Sequence, residues 1–188
     1  MKTISEYRVN ALEENTEVIE FDDLHVVVLG TGDGDGTFAG LMEEVTVKRN
    51  IKYDFIDVKK AWIADSDIEI GNVKIRNIDG KNKDCEIEMH NSIVFVRAGA
   101  IETLSSQSMV SSLQDIGFLV VNDLDSMLVC DNKMSNALLL GRNNIPIPRT
   151  SSVPNEESIE DAHQRVGGKF PVIIKTLKGT QGVGVMKI

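Results

Sequence analysis

Phe170-Pro-Val-Ile-Ile-Lys175-Thr-Leu-Lys178-Gly179-Thr-Gln-Gly182-Val-Gly184-Val-Met-Lys-Ile188 joins an apolar strand, a lysine, a glycine-rich turn and a second apolar strand. Glycine accepts positive φ and carries no side chain to keep a ligand away, so such a turn can aim backbone N–H groups at one point. Backbone donors beside ammonium groups suit a polyphosphate. Burying an unpaired ammonium costs several kcal/mol, so Lys175 must lie at an exposed edge or meet an anion. An edge lysine that discourages strand pairing is the plain reading. A hairpin turn that needs glycine for its geometry is the plain reading of the loop. Three glycines within Gly179–Gly184 exceed that need, and with Thr180 and Gln181 at the tip and Lys178 and Lys175 flanking they fit a phosphate cradle.

Upstream, His25-Val-Val-Val-Leu29 reads as a buried strand and Thr37 to Arg49 as a helix with Phe38, Leu41, Met42 and Val45 at helical spacing. Tyr53 to Val58 is a second strand, so the order is that of a parallel α/β unit. Ile68 to Arg76 alternates about Gly71-Asn72 as a hairpin, and Asp79-Gly80-Lys-Asn-Lys is a further turn. Ser92 to Arg97, Glu102 to Ile116 and Phe118 to Asn122 give strand, helix and strand. Asp131 or Asn132 caps a helix through Met134, Ala137 and Leu138. Asn144-Ile-Pro146-Ile-Pro148 breaks the chain, Arg149 to Val153 reads as a short strand, and Pro154-Asn155 opens a helix closed by Gly167-Gly168. A boundary is expected between Leu124 and Asp131. The expected class is α/β: an open, mostly parallel sheet in residues 1–123, then a smaller unit in 124–188.

The 188 residues suffice for one large domain or two small ones. A net charge of -9 excludes general affinity for nucleic acid or an anionic membrane, so an anion site must be local. Cys85 and Cys130 form no CxxC, and His25, His90 and His163 form no HExxH, so neither a disulfide framework nor a zinc site is expected. The polar start lacks the apolar core of a signal peptide, and no apolar run approaches the ~20 residues that span a bilayer. A cytoplasmic location is the default.

Gly30-Thr-Gly32-Asp-Gly34-Asp-Gly36 resembles a dinucleotide turn, with Asp57 downstream, but Asp33 and Asp35 would repel a pyrophosphate. A flexible loop beside a substrate cleft is the better reading. Arg97 ends a strand where open α/β sheets place ligands, although a salt bridge would put it there equally well. Lys133 falls in the first turn of its helix, where a cation is disfavoured by only about 0.3–1 kcal/mol.

Three segments together resemble the ATP-grasp ligases, most closely the RimK-type enzymes that add glutamate to a ribosomal protein. Val94-Phe-Val-Arg97-Ala-Gly99 is similar to the family's strand ending in arginine and glycine. Asn122 to Lys133, with Gly141-Arg-Asn-Asn-Ile-Pro146-Ile-Pro148-Arg-Thr150, is similar to its asparagine, its nucleotide lysine and its proline turn. Gly167 to Lys175 with Gly179 to Gly184 is similar to its strand lysine and loop. Asn132 stands where an acidic residue is usual, and Lys178 where one is frequent.

The resemblance implies a pre-ATP-grasp domain over 1–123 and the first part of an ATP-grasp domain over 124–188. It implies ATP as cofactor, bound by Lys133, Lys175, Lys178, Gly179, Thr180, Gln181, Gly182 and Gly184, and substrate at Arg97 and Asn122. It also implies an acidic amino acid and a peptide or protein acceptor. The family's adenine slot and Mg2+ ligands follow the matched segments. This chain alone is therefore expected to be catalytically incomplete, with a C-terminal half in trans or a homo-oligomer as candidate partners. The alternatives are a non-catalytic binding module and, more remotely, a nicotinamide-dependent oxidoreductase built on Gly30 to Gly36.

Overall fold

The computed structural model describes residues 23–32, 37–78, 84–179 and 182–188. The acidic loop at 33–36, the expected turn at 79–83, and Thr180 and Gln181 lie outside the described residues. The described strands are β1 (His25–Gly30), β2 (Lys52–Asp57), β3 (Ala61–Trp62), β4 (Ile68–Glu69), β5 (Asn72–Asn77), β6 (Cys85–Glu88), β7 (Ser92–Val96), β8 (Leu119–Val121), β9 (Ile173–Lys175) and β10 (Val185–Lys187). The helices are α1 (Thr37–Lys48), α2 (Leu104–Ile116), α3 (Leu124–Asp131), α4 (Lys133–Arg142) and α5 (Ile159–Arg165). The chain divides into two units, one running to Leu124 and the other from Asp125 to Ile188.

The first unit contains a four-stranded parallel sheet in the order β2-β1-β7-β8. His25 stands opposite Lys52 on one side and Ser92 on the other. Val27, Val28, Leu29 and Val94 are fully buried, as continuous apolar runs covered on both faces should be. Each such side chain contributes about 1.5–3 kcal/mol by leaving water. α1 crosses from β1 to β2, and the Tyr53 hydroxyl donates to the Ala39 carbonyl at 3.2 Å. α2 starts at a capping box: the Thr103 hydroxyl accepts from the Ser106 N–H, and the Ser106 hydroxyl accepts from the Thr103 N–H.

Two expectations are corrected here. α1 buries Ala39 and Thr46, whereas Leu41 and Val45 face outward. The inward stripe is thus rotated toward small residues, which let the helix lie close to the sheet. Arg149 to Val153 forms no strand, and its flank is exposed. Pro146 and Pro148 lack the N–H donors a ladder would use there.

Between β2 and β7 the chain builds a separate antiparallel sheet, with β6 on one edge of β5 and β3 and β4 also paired to it. The expected hairpin is present with its turn shifted by one residue. Glu69 pairs with Asn72, so the two turn residues are Ile70 and Gly71. Strand β6, which the sequence reading did not anticipate, completes this sheet. Val73, Ile75 and Ile87 form its buried face. Arg76 forks onto Asp67, with Nε donating to Oδ2 at 2.8 Å, and its Nη1 donates to Asp84 at 3.0 Å.

In the second unit, Asn132 caps α4, its side-chain oxygen accepting from the N–H groups of Met134 and Ser135 at 3.0 and 3.1 Å. Asn155 caps the turn that leads into α5. β9 and β10 pair antiparallel, Lys175 opposite Val185 and Ile173 opposite Lys187. Each has one partner strand among the described residues.

Candidate functional site

The loop between β9 and β10 is built around Thr176. Its N–H donates to the Gly184 carbonyl at 2.9 Å, extending the ladder by one step. Its hydroxyl donates to the Lys178 carbonyl at 2.6 Å and so folds the start of the loop back on the strand. Gly184 has φ +70°, and a Cβ there would sit 2.5 Å from the Thr176 hydroxyl oxygen. Only glycine satisfies both conditions.

Lys133, first residue of α4, binds this loop at both ends. Its N–H donates to the Leu177 carbonyl at 3.0 Å, and its Nζ donates to the Gly179 carbonyl at 2.8 Å. A lysine some forty-five residues upstream of the loop therefore stands on it. Lys178 turns to Asp131, with Nζ 3.2 Å from the carboxylate. Lys175 ends β9 as an exposed residue one step before Thr176. Successive side chains of a strand alternate, so Lys175 leaves from the face opposite Thr176. Around one glycine turn the second unit thus gathers the ammonium groups of Lys133 and Lys178 and glycines at positive φ, which is a chemistry suited to phosphate oxygens. Sequence reasoning passed over Thr176 and read Asp131 only as a candidate helix cap, a place taken by Asn132 while Asp131 pairs with Lys178. Thr176 gave no signal beyond a hydroxyl beside a lysine.

In the first unit, Arg97 follows β7 and Asn122 follows β8. The register Phe95 to Val121 places both at the carboxyl edge of the parallel sheet. Gly30, Thr31, Thr37, Phe38, Phe55, Arg97 and Gly99 line a cleft of about 320 Å³ at that edge. The Arg97 guanidinium lies 4.0 Å above the Phe38 ring. A Cβ on Gly99 would meet the Thr31 hydroxyl at 2.8 Å, so this glycine keeps the cleft wall close to β1. Cationic, hydroxyl and aromatic groups in a concave site suit a small anionic organic molecule.

At the other end of the same sheet, His25 Nε2 lies 2.7 Å from Asp54 Oδ2, and the Cys85 Sγ lies within 4.8 Å of both groups. Burial pushes the Asp54 carboxyl up, but the His25 hydrogen bond and charge outweigh burial and leave it below the ordinary range. This is the one cluster of three metal-binding side chains among the described residues. A thiol and an imidazole suit soft or borderline cations, so this cluster does not fit Mg2+. Near the glycine loop the described carboxylate is Asp131, already paired with Lys178. Among the described residues no group of three His, Cys, Asp or Glu side chains gathers at this loop.

Residues 130–187 match the family RimK-like ATP-grasp domain. A probable alpha-L-glutamate ligase of Vibrio vulnificus strain YJ016 is 33% identical over 138 residues, which are 73% of this chain and 42% of that relative. A protein of the same description from Teredinibacter turnerae is 38% identical over 93 residues, covering 50% of this chain and 31% of that one. The chain spans less than half the length of these curated relatives. The solved RimK domain protein ATP-grasp from Sphaerobacter thermophilus superposes with a TM-score of 0.59 at 20% identity, over 87% of this chain and 53% of that one. N5-carboxyaminoimidazole ribonucleotide synthetase from Thermotoga maritima gives a TM-score of 0.52 at 16% identity, over 88% of this chain and 41% of that one. The two structural likenesses concern the fold, and they agree with a parallel α/β sheet followed by part of an ATP-grasp domain. The sequence matches show the resemblance to RimK-type glutamate ligases. No helix among the described residues is long and apolar enough to cross a membrane.

Proposed function

We propose that this chain, whose residues 130–187 carry the RimK-like ATP-grasp signature, contributes the phosphate-facing half of an ATP-dependent carboxylate–amine ligase. In that reaction a carboxylate attacks the γ-phosphorus of ATP, giving an acyl phosphate and ADP. An amine then attacks the acyl carbon, inorganic phosphate leaves, and an amide forms. The substrates on this reading are glutamate and a peptide or protein acceptor.

The observation that carries the reading is the Lys133 ammonium standing on the Gly179 carbonyl. A cation from a helix start is held at a glycine turn whose neighbouring strand ends in Lys175. ATP phosphates would replace the carbonyl as partner of Lys133 and draw Lys175 and Lys178 to the same anion, with Gly182 and Gly184 letting the backbone approach. Arg97 and Asn122 would hold the carboxylate substrate at the sheet edge. Because no group of three such side chains gathers at the loop among the described residues, no step is assigned to the metal. The chain by itself is expected to bind ATP weakly and not to ligate, and a segment supplying the remaining walls would restore turnover.

The test follows ADP release by the purified chain with ATP, magnesium, glutamate and acceptor peptides, with and without the remaining part of a RimK-like relative. Turnover only in the combined sample, lost in Lys175→Ala, supports the reading. Full turnover by the chain alone, insensitive to Lys175→Ala, refutes it. A second reading, a partner-binding module, is favoured by the exposed Ile174, Val185 and Met186 of the ribbon.

A further inference from the structure

His25, Asp54 and Cys85 come from β1, β2 and β6, three strands that are distant in sequence. In the parallel ladder His25 is opposite Lys52, and Val27 is opposite Asp54. Paired residues share a face of the sheet, so His25 and Asp54 project from one face, two steps apart. Tyr53 leaves by the other face, toward α1. The antiparallel sheet reaches the His25 face through β6: Lys52 Nζ donates to the Glu86 carbonyl at 3.5 Å, and Cys85 reaches Asp54. The three side chains therefore sit where the two sheets of the first unit meet. Their ligand atoms all lie within 4.8 Å of one another. His25 and Cys85 are buried, while the Asp54 side chain is 41% exposed.

We propose that His25, Asp54 and Cys85 form a zinc site that joins the edge strand of the parallel sheet to the antiparallel sheet. Imidazole nitrogen, carboxylate oxygen and thiolate sulfur together are a borderline donor set that selects zinc over magnesium or calcium. Bond lengths of about 2.0–2.3 Å in a tetrahedral site put ligand atoms roughly 3.4 Å apart. The His25–Asp54 contact of 2.7 Å must open by about 0.7 Å for such a geometry. In the zinc-bound form the Cys85 thiol proton would have gone to solvent and the His25 ring proton would have moved to Nδ1, so that Nε2 coordinates. A dication in the site favours the thiolate form of Cys85. Three protein ligands leave a fourth position for water, reached past the half-exposed Asp54. A nucleophilic relay would instead place the imidazole between thiol and carboxylate. Here the imidazole Nε2 faces the carboxylate directly at 2.7 Å.

The test is a cobalt titration of the reduced, metal-free 188-residue chain, followed by zinc displacement. The expected result is a 1:1 complex with a thiolate-to-cobalt charge-transfer band, bleached by zinc. Cys85→Ser should abolish the band. Asp54→Asn, nearly isosteric and half-exposed, should fold and weaken cobalt binding by at least about tenfold. Cys130→Ser, at the exposed second cysteine, should change neither. A band absent from the wild-type chain, retained in Cys85→Ser, or lost in Cys130→Ser overturns the proposal. Should Cys85→Ser not fold, unchanged cobalt affinity in Asp54→Asn overturns it.

Discussion

Gly184→Ala places a methyl group where Thr176 already stands. The new Cβ would lie 2.5 Å from the Thr176 hydroxyl oxygen and 2.6 Å from its Cγ2. An alanine at φ +70° costs about 1–2 kcal/mol from the backbone alone. Relieving an overlap of this size typically adds about 1–3 kcal/mol. Thr176 cannot turn aside freely, because its hydroxyl holds the Lys178 carbonyl at 2.6 Å. The ribbon should therefore lose about 2–5 kcal/mol, or as much of its own opening free energy as is smaller. The reporters are the Thr176 and Ile188 amides, which donate to Gly184 and Val172 and close the ribbon near its two ends. Their hydrogen exchange should quicken by roughly thirtyfold or more, since about 1.4 kcal/mol is tenfold. Adding Thr176→Ala should return the overlap share and leave the backbone share. Exchange within about threefold of wild type in Gly184→Ala, or a double variant no slower than the single one, would refute this account.

Four further outcomes are expected. Leu113→Ala, at a fully buried site in α2, should lower the first unit's stability by about 2–5 kcal/mol in urea unfolding. Thr103→Ala should cost about 1 kcal/mol in the same assay by removing the cap of α2. The Arg76 hydrogen bond holds the Asp67 carboxyl below the usual carboxylate range, and the Asn77 N–H does the same for Asp84 with help from Arg76. Depressed folded values mean stability that is present above the unfolded value of about 3.9 and lost as pH falls through the lower folded ones, so Tm should drop on that acid limb and drop less in Asp67→Asn. Lys133→Met should leave thermal stability nearly unchanged and weaken ADP binding, measured calorimetrically, by about tenfold; equal affinity would remove Lys133 from the proposed phosphate site.

The parallel sheet could be read because β1 and β7 carry apolar, β-branched-rich runs, which have few other uses at that length. Asn132 could be read as a cap because its carboxamide precedes a helical pattern. β6 escaped notice because Cys85-Glu-Ile-Glu88 offers only two inward residues between acidic ones. Its pairing with β5 supplies what its own pattern lacks. The strand expected at Arg149 to Val153 had the composition but no neighbour to pair with. At the candidate site, the glycines and lysines announced themselves by type and spacing. The role of Thr176 depends on a loop closing over it. The His25–Asp54–Cys85 cluster depends on the register of β1 against β2 and on a strand from another sheet, neither of which local sequence encodes.

The antiparallel sheet also bears on the order in which the chain can assemble. β1 must find β7 across the whole stretch from His25 to Ser92, a closure that is entropically costly for a loose chain. Within that stretch β4, β5 and β6 pair with strands that are near neighbours in sequence. The Ile78 N–H donates to the Lys60 carbonyl at 3.0 Å, tying the end of β5 to the turn that precedes β3. Once these local pairings exist, the intervening segment is a compact knot and the remaining search is short. The small sheet then serves as a kinetic staging post, converting one long-range encounter into several local ones followed by a brief docking.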